Sequence, residues 1–144
     1  MFDANSRLPL VGTVDPQSAT AGDYATDVVD MSKFQKVVFY ILVGAMTTNG
    51  TLDFVVKGDS ASGGSFTTTV TGKAITQFTK AGSDDNKQAV VEVTAEELAE
   101  QGFRYVKGVL TTATAASIVA VAVVGVDARY APADDLASVD EVVA

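Results

Sequence analysis

From Phe34 to Val43 the chain reads Phe-Gln-Lys-Val-Val-Phe-Tyr-Ile-Leu-Val, and this run restricts the fold more than any other segment. β-Branched and aromatic side chains are stiff against a helix turn but fit a pleated sheet. In an extended strand Val37, Phe39, Ile41 and Val43 fall on one face, and Val38, Tyr40 and Leu42 on the other. Apolar residues on both faces predict a strand covered on both sides. Asn49-Gly50 follows and predicts a type I′ turn, whose two central residues both need φ > 0. The return strand is Thr51 to Lys57, where Leu52, Phe54 and Val56 alternate with Thr51, Asp53 and Lys57 in a half-buried pattern.

The rest of the chain repeats this grammar. A short strand is expected from Tyr24 through Val29, with Asp30-Met31-Ser32 as a corner. Further strands are expected at Phe66–Val70, Ala74–Thr79, Ala89–Val93, Phe103–Thr112 and Ser117–Val126, separated by the polar loops Gly58–Gly64 and Ala81–Lys87. Thr94-Ala95-Glu96-Glu97 has the form of a capping box. It predicts one or two helical turns from Ala95 to Gln101, closed by Gly102 in the left-handed conformation. The alternation places Val37, Phe39, Ile41, Leu52, Phe54, Val56, Val91, Val106, Leu110, Ile118 and Val124 in the core. The expected fold is therefore all-β: a single-domain β-sandwich or jelly roll with one short helix and extended terminal arms. Residues 1–22 read as an N-terminal arm broken by Pro9, Gly12, Pro16 and Gly22. Residues 23–130 form the sandwich body, and 131–144 an acidic and apolar C-terminal tail.

Composition narrows the function classes. The chain of 144 residues carries a net charge of −8, and its Lys and Arg are scattered, which argues against nucleic acid as a partner. Cysteine is absent, so the fold holds by packing without disulfides, as suits a reducing cytoplasm. The start Met1-Phe2-Asp3-Ala4-Asn5-Ser6-Arg7 lacks a secretory pattern. Gly108 to Val126 is free of charge but is interrupted by Thr111, Thr112, Thr114 and Ser117. It reads as two buried strands and a turn, with no membrane partner.

No catalytic constellation is visible. Histidine is absent along with cysteine, which removes Ser-His-Asp, Cys-His and ordinary zinc chemistry. No Ser has Lys three residues on, and Gly72-Lys73 lacks the remaining residues of a phosphate loop. A carboxylate pair for glycoside hydrolysis could draw on Asp53 and Glu92, although both also fit solvent-facing strand positions. Asp84-Asp85-Asn86 is an oxygen-rich turn without a full calcium loop. The aromatics sit mostly at strand positions, as core residues. No enzyme activity, cofactor or metal is expected.

Several segments resemble small virion proteins of tailed phages and prophages: Val29-Asp30-Met31-Ser32-Lys33-Phe34, Gly72-Lys73-Ala74-Ile75-Thr76-Gln77 and Gly102-Phe103-Arg104-Tyr105-Val106-Lys107. The ending Asp127-Ala128-Arg129-Tyr130-Ala131-Pro132, with the acidic tail Leu136 to Val143, is similar to them too. The resemblance implies a head decoration (cement) protein that binds the outside of the major capsid shell. It would be made in the host cytoplasm, carried on the capsid surface of the virion and self-associated on the lattice. Phe103-Arg104-Tyr105-Val106 also resembles a strand of discoidin-type jelly rolls, which bind sugars or lipids. A carbohydrate-binding or adhesion module and a phage tail-tube or connector component are the alternatives.

Contact residues are expected on the arms. Phe2, Leu8, Leu10, Val11, Leu136, Val139, Val142 and Val143 are apolar side chains in segments whose Pro and Gly content argues against self-contained packing. Arg129 and Tyr130, leaving the last strand, complete the expected protein interface. Removal of residues 133–144 is expected to leave the free domain's melting temperature nearly unchanged.

Overall fold

Leu52, Phe54 and Val56 are fully buried on strand β5 (Thr51–Asp59), facing Val37, Phe39, Ile41 and Val43 of β4 (Phe34–Met46). These two inward rows form the centre of a sandwich in the computed structural model, which describes residues 4–143. The remaining elements are β1 (Leu10–Ala19), β2 (Gly22–Ala25), β3 (Val29–Asp30), β6 (Thr68–Ala74), β7 (Phe78–Thr79), β8 (Gln88–Thr94), α1 (Ala95–Glu100), β9 (Tyr105–Ala113) and β10 (Ser117–Ala128).

Two antiparallel sheets carry the order β1-β10-β4-β8 and β2-β9-β5-β6, with β3 also on β9 and β7 also on β5. Because β2 and β3 share one partner, and β6 and β7 another, each pair acts as one interrupted edge strand. Four strands then lie in each sheet, and every connection except β5 to β6 crosses from one sheet to the other. This is a jelly roll, and the expected all-β single domain stands.

The β4–β5 connection differs from the expected hairpin. The two strands belong to different sheets, so residues 47–50 climb between layers that pack about 10 Å apart. Asn49 alone adopts the left-handed region (φ 64°), where a type I′ turn would need two such residues. Gly50 donates its N–H to the Thr47 carbonyl at 2.8 Å, and a Cβ there would lie 2.9 Å from that oxygen.

The segment expected as a loose N-terminal arm is largely β1. It pairs with β10 from Leu10 opposite Val124 to Ala19 opposite Ser117, with register shifts at Leu10/Gly12 and Val14/Gln17. Pro16 falls inside the second shift, on an edge strand, where a missing N–H is tolerated. Those shifts break the alternation that would have marked a strand.

The capping box forms as expected. Thr94 Oγ1 accepts the Glu97 N–H at 3.2 Å, and the Glu97 carboxylate accepts the Thr94 N–H at 2.9 Å. Gly102 closes the turn at φ 78°. Among the described residues no helix is long and apolar enough to cross a membrane.

Two core expectations fail, both on β10. Val119, Val121 and Val123 point inward, while Ile118 is exposed and Val124 only half-buried. Pairing with β4 sets this phase, placing Val121 opposite Ile41 and Val123 opposite Phe39.

Candidate interaction surfaces

The outer face of the β1-β10-β4-β8 sheet is apolar and open. Tyr40 and Leu42 of β4 are 41% and 45% exposed, Val90 of β8 60%, and Ile118 of β10 51%. Register makes them neighbours: Tyr40 lies opposite Val90 on one side and Ala122 on the other, and Leu42 opposite Ala120. Directly paired residues share a face with Cβ atoms about 5 Å apart. The expectation that β4 is covered on both sides is therefore corrected: in its second apolar row Val38 is buried but Tyr40 and Leu42 are open to solvent, and Tyr40 is no core aromatic. The other sheet's outer face is different. There Asp53 pairs with Thr111, Lys57 with Lys107 and Asp59 with Tyr105, the polar surface that an antiparallel sheet normally turns to water.

A second surface lies where the terminal segments 5–10 and 133–136 meet. The Asp135 carboxylate accepts the Leu10 N–H at 2.9 Å and the Asn5 side-chain amide at 2.5 Å. Leu136 donates its N–H to the Leu10 carbonyl at 2.7 Å, and Ala133 to the Ser6 carbonyl at 3.0 Å. The tail thus adds a short latch to the free edge of β1. Val11, Tyr130 and Leu136 line one cleft of about 450 Å³ beside it, with Val28, Val29 and Phe34.

The expected contact residues divide accordingly. Leu10, Val11 and Leu136 are half-buried, and Val11 packs against the core. Val139 is half-buried and donates its N–H to the Leu136 carbonyl. Leu8, Arg129, Tyr130, Val142 and Val143 are exposed. Phe2 lies outside the described residues. The sheet face was missed from sequence because a doubly apolar strand reads as doubly covered; the four exposed side chains were visible only as strand-phase partners of buried ones.

The candidate carboxylates serve structure. Asp53 stands on the outer face of one sheet, accepting from the Gln77 side-chain amide at 2.7 Å. Glu92 stands on the outer face of the other, paired with Lys36 at 3.1 Å. The sandwich separates them, so they cannot flank one glycosidic bond. Asp84 accepts from the Thr79 N–H and Lys87 Nζ, and Asp85 from the Met46 N–H and Lys80 Nζ. These bonds fasten the oxygen-rich turn to the end of β4 and hold both carboxyls below their ordinary range, through the lysine contacts first and the backbone N–H groups second. Among the described residues no group of acidic side chains is arranged to hold a metal ion.

Asp30 and Arg104 form a forked ion pair. The guanidinium donates Nε and Nη2 to the two carboxylate oxygens at 3.0 and 2.8 Å. This fork holds the Asp30 carboxyl well below the usual range and raises Arg104. It ties the β3 corner to the strand-entry segment of β9.

No protein-family model matches the chain, and no curated protein matches it. Among solved structures, it is similar to one of the infectious bursal disease virus Gx strain (11% identity, TM-score 0.47, 88% of this chain and 34% of that one). The chain therefore spans about a third of that neighbour's length. It is also similar to Desmodium yellow mottle tymovirus (14%, TM-score 0.41, 87% and 89%). A third likeness is to the K1 cleaved adhesin domain of Lys-gingipain from Porphyromonas gingivalis W83 (14%, TM-score 0.35, 76% and 66%). At these scores the likenesses assign no function.

Proposed function

We propose that the chain is a non-enzymatic structural protein of a tailed-phage virion, a decoration (cement) protein that attaches to the outside of the major capsid shell. The observation that carries this reading is the meeting of the two terminal segments, residues 5–10 and 133–136, beside the free edge of β1, with Leu8, Tyr130, Val142 and Val143 exposed. Exposed apolar side chains such as those of Leu8, Tyr130, Val142 and Val143 contribute little to an isolated domain. Against a neighbouring subunit each Val or Leu gains roughly 1.5–3 kcal/mol on full burial, offset in part by the entropy of ordering the segment. The resemblance of the Val29–Phe34, Gly102–Lys107 and Asp127–Pro132 segments to phage virion proteins supports the same reading. The fold alone does not, since jelly rolls host many functions.

In this reading Leu8, Leu10, Val11, Arg129, Tyr130, Leu136, Val139, Val142 and Val143, together with Phe2, contact the major capsid protein or adjacent copies. The protein resides on the capsid surface and needs no cofactor. Binding only the assembled shell stabilises that shell by mass action. Empty shells saturated with the protein should survive a heat challenge that disrupts bare shells; equal survival would remove the cementing role.

A further inference from the structure

The exposed sheet face has two properties that together point to one kind of partner. Its centre is formed by Tyr40, Leu42, Val90 and Ile118, all 41–60% exposed. At one end Lys36 of β4 and Glu92 of β8 pair with each other at 3.1 Å, so this half of the face carries opposite charges side by side. Two copies of a strongly acidic protein repel each other on most approaches. The β4–β8 half of this face offers an incoming copy both signs of charge, away from the exposed Asp15 of β1.

We propose that a second copy of this chain packs on the outer face of the β1-β10-β4-β8 sheet about a two-fold axis. A two-fold contact puts the same patch on both partners, so Lys36 of each copy can reach Glu92 of the other while Tyr40, Leu42, Val90 and Ile118 pack between them. Four strands about 4.8 Å apart, over the run from Ile118 to Val124, give a footprint of roughly 430 Å². A stable complex buries about 800 Å² per partner. The face therefore makes a weak, concentration-dependent dimer, suited to copies concentrated on a lattice. The inference deepens the proposed assembly role and rests on it for its biological setting.

Sedimentation velocity from micromolar to millimolar concentration tests it. The wild-type sedimentation coefficient should rise toward that of a dimer. A Leu42→Lys/Val90→Lys variant, altered only at exposed positions, should stay monomeric with an unchanged circular dichroism spectrum. Lys36→Glu and Glu92→Lys should each weaken self-association more than tenfold, and a mixture of the two should restore it, because the paired copies then carry opposite charges. A wild-type monomer at every concentration, or association unaffected by these four substitutions, overturns the inference. Loss of shell binding by the Leu42→Lys/Val90→Lys variant, with wild type monomeric, assigns the face to the shell and likewise overturns it. Retained shell binding with no dimer overturns the dimer while leaving the assembly role standing.

Discussion

The rings of Phe39 and Phe54, one from each sheet, meet across the sandwich with centroids 5.6 Å apart and planes tilted by 54°. Gly108 of β9 makes room for both. A Cβ at position 108 would lie 2.3 Å from Phe54 Cζ and 3.1 Å from Phe39 Cδ1. Neither ring can withdraw, because both are fully buried. Gly108→Ala should therefore destabilise the domain by about 1–3 kcal/mol through overpacking, seen as a lower midpoint in urea unfolding. An unchanged midpoint would show that the aromatic contact yields freely.

Stability should depend on pH in the acid range. Asp30, Asp59, Asp84, Asp85 and Glu97 all have carboxyls held below their ordinary values of 3.8 and 4.5. The leading causes are the Arg104, Lys87 and Lys80 contacts for Asp30, Asp84 and Asp85, and backbone N–H donors for Asp59 and Glu97. A lowered folded-state value means that the stabilisation is fully present above the unfolded pKa and is lost as pH falls through the folded one. The melting temperature should thus be nearly flat from pH 6 to 8, where the chain has no histidine to titrate, and fall progressively below about pH 4.5. Asp30→Asn should flatten that acid slope; a slope as steep as wild type would mean that the Arg104 fork contributes nothing.

Thr94→Ala removes one half of the capping box and should cost about 1 kcal/mol, measured by urea titration. Thr94→Ser keeps the accepting oxygen and should restore most of the loss. Equal stability of the alanine variant and wild type would contradict the cap.

These elements also show what sequence reveals. The β5 alternation and the Thr94 cap are local, so their outcome was legible residue by residue. β10 was not. With Ile118, Ala120, Ala122 and Val124 in one phase and Val119, Val121 and Val123 in the other, both phases are apolar, and only pairing with β4 decides which turns inward. β1 was obscured by two register shifts and Pro16, and its strand state depends on a partner about 100 residues away. The apolar residues of the terminal segments were legible as composition, because they stood among breakers. Its latch through Asp135 was not, since a carboxylate in an acidic tail gives no sign of the backbone N–H it will meet.

That latch changes the expectation for truncation. Deleting residues 133–144 removes the bonds to Ser6, Leu10 and Asn5 and should lower the melting temperature measurably, at about 1 kcal/mol per net hydrogen bond lost. Deleting only residues 140–144 should leave it unchanged. Calorimetry of the two truncations decides the matter; equal losses would place the last residues in the fold's support as well.

Co-sedimentation tests whether the protein attaches to an assembled shell. Purified protein mixed with empty capsid shells of the phage proposed to carry it should pellet with them in saturable amounts. A Val142→Asp/Val143→Asp variant with an unchanged melting temperature should pellet markedly less. If the wild-type protein stays in the supernatant at concentrations that exceed the shell's available sites, the decoration role is contradicted.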